Sequence, residues 1–391
     1  MRKMQQATIC VYFDALDDPR VERTRQHALI DIIVVSVLAV ICGAESWGDI
    51  EDYGEANKDW LRAFLRLRNG IPSHQTFMRV FAALDVEAFH ECFMDFTRDL
   101  VGTTDGKHIA IDGKTLRRSF TDGEKRDPRH IVSAWVGENH IVLGQVATDA
   151  KSNEITAIPK LLDMLDVRGA TITIDAMGCQ RKIVEKIVEK IVEKGADYAI
   201  AVKDNQPTLH KEVESAFAAS AIAKEDLPMS WTFQSSEKAH GRAEIRRVTV
   251  LDVEGRLSEK QDWTAVHCLV AVETERTANG KTSQECRYYI SSHKPDAQLL
   301  AKVIRGHWGI ENEQHWTLDM AFDEDRCRSR KKNGPENFAL LRRFALNFLK
   351  LDVSSKRSIR GKRLRAGWDR SYLLDVITSP TIEGKVTPHV G

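Results

Sequence analysis

The chain has 391 residues, 42% of them hydrophobic, enough for one large domain or two to three smaller ones with real cores. Its 57 Lys and Arg balance 57 Asp and Glu, so overall charge gives no hint of a nucleic-acid partner. Seven cysteines, odd in number and without a C-x-x-C, argue for a reducing compartment and against a disulfide frame or zinc ribbon. The charge is unevenly spread, however. Residues 1–100 hold 11 Lys and Arg against 16 Asp and Glu, whereas residues 326–370 hold 15 against 3. The basic excess reads as a polyanion-facing region or, more plainly, as a solvated tail.

In chain order, Ala28–Ala44 is the most apolar stretch. It is short for a membrane span, carries Asp31 and lacks a signal-peptide cleavage pattern. It therefore reads as a buried core helix of a cytoplasmic protein with no membrane partner. An amphipathic stretch follows over Trp47–Leu67, and Asn69-Gly70-Ile71-Pro72 breaks it. Ser73 caps a helix carrying Phe77, Val80 and Leu84, and Val86–Leu100 forms another. These two helices fit a helix-turn-helix or a plain bundle, and the acidic balance favours the bundle or a role in protein contacts.

From Lys107 the character changes. HIAID, HIVSAWV and HIVLGQVA read as a three-stranded meander, Glu154–Leu165 as a helix, ATITID as a strand, Arg181–Lys194 as a helix and DYAIAVK as a strand. The order β-β-β-α-β-α-β is that of an α/β ribonuclease H-like fold, a mixed sheet flanked by helices. The tandem repeat IVEK-IVEK-IVEK within Ile183–Lys194 predicts a slanting apolar stripe, since four residues overshoot a helical turn by about 40°. Lys186 with Glu189 and Lys190 with Glu193 are expected to pair on its outer face. Residues 230–292 read as a β-rich insertion, Asp296–Phe322 as a helix interrupted by glycine, and Pro335–Leu351 as a helix. Beyond residue 353 the pattern fades.

The chemistry is carried by acids. Asp112 and Asp175 end apolar strands, which is an expensive place for a charge unless a hard cation offsets its desolvation. In the expected fold those strands are neighbours. Glu311, in the tryptophan-rich segment HWGIENEQHW, would complete a triad able to hold two Mg2+ or Mn2+ ions about 4 Å apart. Glu313, Asp319, Asp323 and Asp325 compete for the third place. His307, Glu311 and His315, spaced by four, offer a zinc alternative, and Trp308 and Trp316 read as core. Lys114, Arg117 and Arg118, directly after Asp112, could grip a phosphate or be ordinary surface charge, and His240, Gly241 and Arg242 could likewise touch a phosphate backbone.

The blocks FDALDDPR, AIDGKTLRRS, TIDAMGCQ, GADYAIAVKDNQ, HGRAEIRRV, IRGHWGIENEQHWTLDMAFDEDRCR and ENFALLRRFALNFLK span most of the chain. With them it resembles the DDE-class insertion-sequence transposases called H-repeat-associated proteins. That resemblance implies an N-terminal transposase-associated helical domain (1–103) and a ribonuclease H-like catalytic domain (104–352, with the insertion at about 228–292). A basic tail (353–391) would follow. It implies cleavage and joining of double-stranded DNA at element ends and target, by a homo-oligomer on DNA. Asp112, Asp175 and Glu311 match the acidic triad, and Gly178 matches the glycine of the D-x-x-G pattern. Related transposases often carry Tyr, Arg and Lys around the third acid. Here His307 lies four residues before Glu311 and Leu318 seven after it, leaving Arg305, His307, Asn312 and His315 as polar neighbours. Arg328, Arg330, Lys331 and Lys332 would bind backbone phosphates, making affinity salt-dependent. Two other readings stay open: a DNA-binding relic that no longer cuts, and a ribonuclease H-like nuclease.

Overall fold

The computed structural model describes residues 8–117, 128–148, 154–175, 181–203, 206–223, 226–239, 242–258 and 263–378. The first helices are α1 (Thr8–Val11), α2 (Leu29–Ile41), α3 (Trp47–Leu61), α4 (His74–Ala83) and α5 (Val86–Val101). Every residue of α2 from Asp31 to Ile41 is buried, which explains a sequence with no polar face. Asp31 is tolerated because its carboxylate accepts the Leu67 N–H at 2.9 Å. A capping box formed by Ser46 and Asp49 starts α3. Helices α4 and α5 bury Phe77, Phe81, Phe89 and Phe93 in the same core as α2, so they are built into a bundle. Among the described residues no helix is long and apolar enough to cross a membrane.

The central segment contains β1 (His108–Thr115), β2 (His130–Val136), β3 (Ile141–Thr148), α6 (Glu154–Met164), β4 (Thr171–Ile174), α7 (Arg181–Glu193) and β5 (Asp197–Val202). β1, β2 and β3 form the antiparallel meander, and β4 lies parallel to both β1 and β5. This is the ribonuclease H-like order. On one face, Ile109, Ile111, Ile172 and Ile174 pack against α6 and α7. The IVEK stripe lies there too, with Val184, Ile187, Val188 and Ile191 buried. The expected pairing of Lys190 with Glu193 gives way to a bond from Lys190 to Asp163 of α6. The repeat thus clamps two helices together.

After α8 (Pro207–Ala223) come β6 (Thr232–Ala239), β7 (Arg242–Asp252), β8 (Cys268–Ala278) and β9 (Lys281–Ser291). The inserted strands join the main sheet, because β9 pairs antiparallel with β5 through Ala199–Val202. One mixed sheet of nine strands results, in the order β3-β2-β1-β4-β5-β9-β8-β7-β6.

Across the other face runs α9 (Ala297–Gly309), which continues through a π-helical turn (Ile310–His315) into α10 (Trp316–Phe322). The glycines read as interruptions do not break it. A Cβ on Gly306 would lie 2.7 Å from the His108 ring, and one on Gly309 2.4 Å from Trp135. They are contact points that let the helix settle onto β1 and β2.

Helix α11 (Gly334–Leu351) passes through the core of the N-terminal helices, and Phe344 packs against Phe13, Phe89, Phe93 and Phe96. Asn347 ties it to β3 by bonding both the N–H (3.0 Å) and the carbonyl (2.9 Å) of Val142. The stretch expected to be a basic tail instead folds, as far as Thr378, into α12 (Ile359–Trp368) and α13 (Arg370–Thr378). Its cations serve as helix stops. The Lys362 ammonium donates to Leu349 O at 2.9 Å, and the Arg363 guanidinium donates to Val40 O at 2.9 and 3.2 Å. The helices at the two ends of the chain share one core.

Gly309→Ala is expected to destabilise the fold by about 1–3 kcal/mol, the usual cost of overpacking. Urea unfolding at constant m-value measures it, and an unchanged midpoint would show that the helix can stand off Trp135.

Candidate active site

Side chains on β1 alternate, so Ala110, Asp112 and Lys114 share the face under the α9–α10 helix. On β4 the same face carries Thr171 and Thr173 and leads on to Asp175. Ile111 pairs with Ile174, so Asp112 and Asp175 are the next residues on adjacent parallel strands. Asp175 follows the last strand residue as expected. Asp112 does not end its strand: β1 continues to Thr115 because β2 still pairs with it there. Asp112 is exposed to the site because β4 has stopped, not because β1 has.

The helix meets these strands at three points. The His307 Nδ1 and Thr173 Oγ1 are hydrogen-bonded at 2.9 Å, and Thr173 Oγ1 also bonds His108 Nε2 at 2.7 Å. Glu311 is exposed and shares a cavity of about 210 Å³ with Asp175, Lys203, His307, Trp308 and Arg287. The His315 Nδ1 lies 3.5 Å from Asp112 Oδ2. Residues spaced by four drift on an α-helix. The π turn takes more residues per revolution and keeps all three side chains on the sheet-facing side.

The competing acids are engaged elsewhere. Glu313 meets His140 at 2.5 Å, and Asp323 meets Arg326 at 3.5 Å. Asp319 and Asp325 hold the Lys114 ammonium at 2.6 and 3.1 Å. Lys114, expected as a phosphate grip, is 8% exposed with its ammonium held by these two acids. Its alternation with Asp112 points it into the helix, where it fastens α10 to β1. Arg117 is exposed and meets Asp325 at 3.2 Å. Arg118, Gly178, His240 and Gly241 lie outside the described residues. Arg242 is exposed at the start of β7, far along the sheet from Asp175. Arg305 is exposed, meets Glu237 at 3.5 Å and shares the Trp308 ring with Arg287. Trp316 is 60% exposed, against the expectation of a core residue.

Arg328, Arg330, Lys331 and Lys332 are exposed in the loop before α11. The basic excess beyond them is partly internal. Arg342, Arg343, Lys362 and Arg363 are all buried, and Arg343 pairs with the buried Glu324 at 2.7 Å. A count of charges along the sequence cannot separate those that face water from those that close the core.

One cation at the candidate acids was not foreseen. The Lys203 ammonium, directly after β5, lies 2.8 and 2.9 Å from the two oxygens of Asp175. Among the described residues, no three His, Cys, Asp or Glu side chains are gathered closely enough to hold an ion. The donor types at Asp112, Asp175 and Glu311 nevertheless suit a hard divalent cation, being carboxylate oxygens.

Burial depresses the nearby imidazoles, His307 to about 4 and His108 and His315 to about 3. These values lie below the unfolded value of about 6.5. The unfolded chain therefore binds more protons in between. The stability these rings contribute is fully present above about pH 6.5 and is lost as pH falls through 4 and 3. The urea midpoint is expected to drop between pH 7 and pH 5, and His307→Asn and His315→Asn should each flatten that slope. An identical slope in both variants would mean that the rings do not titrate from a buried state.

Residues 103–348 match the family model described as "Transposase DDE domain", and residues 10–97 match the one described as "DDE_Tnp_1-associated". The chain is 42% identical to "Putative protein YbfL" of Escherichia coli K12. It is 41% identical to "H repeat-associated putative transposase YhhI" of the same strain. Each alignment covers 90% of this chain and 93% of the relative. A cryo-EM structure of the piggyBac transposase synaptic complex with hairpin DNA aligns with a TM-score of 0.40. Its identity is 12%, over 99% of this chain and 79% of that one. The domain match covers well over half of the sequence and the relatives align nearly end to end, so the chain belongs to the DDE transposase family.

Proposed function

We propose that this chain is the transposase of an insertion-sequence element, cutting double-stranded DNA at the element's ends and joining the released 3′ ends to a target. The observation that carries the reading is the placement of Asp112 and Asp175 on adjacent parallel strands, under a helix that brings Glu311 to the cavity of Asp175. Family membership supports it.

In this reading Asp112, Asp175 and Glu311 hold two Mg2+ or Mn2+ ions. Bound there, such ions would supply Lewis-acid charge stabilisation at the phosphorus centre and lower the pKa of water. The protein's own residues do the rest. The sheet fixes Asp112 and Asp175 against each other, and the π turn presents Glu311. The Thr173 hydroxyl fixes the orientation of the His307 ring. The exposed Arg328, Arg330, Lys331 and Lys332 give phosphate contacts that position duplex DNA without reading its sequence. Arg117 and Arg305 extend that surface nearer the site. Assembly of a homo-oligomer on DNA, and the division into an N-terminal associated domain (1–103) and a catalytic domain (104–352), belong to the same proposal.

The test is Mg2+- or Mn2+-dependent cleavage of duplexes carrying the element's own ends. Asp112→Asn, Asp175→Asn and Glu311→Gln should each lose more than about a hundredfold in rate, beyond what outer contacts to a metal site contribute. A variant that cuts at the wild-type rate removes its residue from the triad. Replacing Arg328, Arg330, Lys331 and Lys332 together by alanine should weaken DNA binding about equally across sequences. It should also flatten the dependence of affinity on salt by up to about four phosphate contacts. An unaltered salt slope would place the DNA elsewhere.

A further inference from the structure

Lys203 is held in place by its backbone. β5 ends at Val202, which pairs with Tyr288 of β9. The Lys203 carbonyl then accepts the Gln206 N–H at 2.9 Å, just before α8. The side chain is free of such constraint: it is about half exposed and carries its charge on a flexible four-carbon stem. Its ammonium sits almost equally on both Asp175 oxygens, at 2.8 and 2.9 Å. Those are the oxygens with which Asp175 would hold a divalent ion. An ion arriving at those oxygens competes with the ammonium for them and repels its charge, which favours release of the lysine. Lys203, Asp175 and Glu311 line one cavity of about 210 Å³, and Arg287 lines it too. In the proposed reaction, the anion that would enter there is a backbone phosphate.

We propose that Lys203 is a displaceable counter-ion. It neutralises Asp175 while no divalent ion is bound, and ion binding releases it to a phosphate oxygen of the DNA strand in the same cavity. This rests on the reading of Asp175 as an ion ligand. Metal and DNA then strengthen each other's binding, and by linkage the two effects are equal. Lys203 is a positioning residue whose partner changes between the two states.

The experiment measures Mn2+ binding to the full chain by electron paramagnetic resonance, with and without a duplex of arbitrary sequence. Lys203→Ala is expected to tighten Mn2+ binding about two- to fivefold without DNA, the range of an exposed ion pair. It should also reduce the tightening that DNA causes in the wild type. Arg287→Ala removes a cation from the same cavity, one whose guanidinium pairs with Glu285 at 2.7 Å, and should shift Mn2+ affinity less. In 15N spectra of the lysine ammonium groups, the resonance missing from Lys203→Arg should move when Mg2+ is added to the wild type.

If Lys203→Ala binds Mn2+ no more tightly than wild type or Arg287→Ala, or keeps the full DNA effect, the counter-ion role is overturned while the metal site stands. The same holds if the Lys203 resonance stays put as Mg2+ binds. If neither wild type nor Lys203→Ala binds Mn2+ at all, with or without DNA, the reading of Asp175 as a ligand falls, and the counter-ion role with it.

Discussion

The arrangement of the site depends on how closely one helix approaches the sheet. At Gly306 and Gly309 there is no Cβ, and the backbone of α9 rests against the rings of His108 and Trp135. Only at that distance can His307 reach Thr173 and Glu311 enter the cavity beside Asp175. Two further constraints hold the approach. Lys114 ties α10 to β1 through Asp319 and Asp325, and the Arg343–Glu324 pair joins α11 to the turn after α10. The second pair is fully buried. Its net worth over an apolar pair is small, but loss of one partner would strand a charge in the core. These contacts fix which face of a long helix looks at the carboxylates, and so which acid of the segment can serve.

Much of the fold was legible because its signals are local. Apolar runs bounded by turns located β1 to β5 within a few residues, and their order implied that Asp112 and Asp175 lie side by side. What escaped was set by partners distant in sequence. Gly306 and Gly309 read as breaks because a glycine's neighbours across a packing contact leave no trace nearby. The π turn has no compositional mark, though the regular spacing of His307, Glu311 and His315 hinted that one face mattered. Lys203 stood at the end of a correctly read strand. Its contact with Asp175 was missed because a lone lysine after a strand is usually solvated.

The basic C-terminal region shows the limit of counting charges. Its excess led to an expectation of a DNA-facing tail, yet several of those cations are buried. A closer reading of FALLRRFALNFLK had the clue. Arg342 and Arg343 sit within an apolar helix that has no room for a solvated face, so they needed internal partners. Arg342 lies over the Phe338 ring at 4.3 Å, and Arg343 finds Glu324. The cations of that region that do face water include Arg328, Arg330, Lys331 and Lys332, in the loop before α11.

The shared core of the two chain ends bears on how the protein is made. Helix α2 is apolar on every side and is synthesised early, whereas α11 and α12, which cover it, are separated from it by roughly 300 residues. At about 5–20 residues per second the ribosome takes roughly 15–60 s to deliver that cover. For that time α2 has no permanent partner on one flank, and the nascent chain exposes a surface that invites aggregation or chaperone capture. A copy truncated before residue 334 would never acquire the cover, even with all three acids intact. In this architecture, the integrity of the last helices decides whether the first ones can be kept in solution.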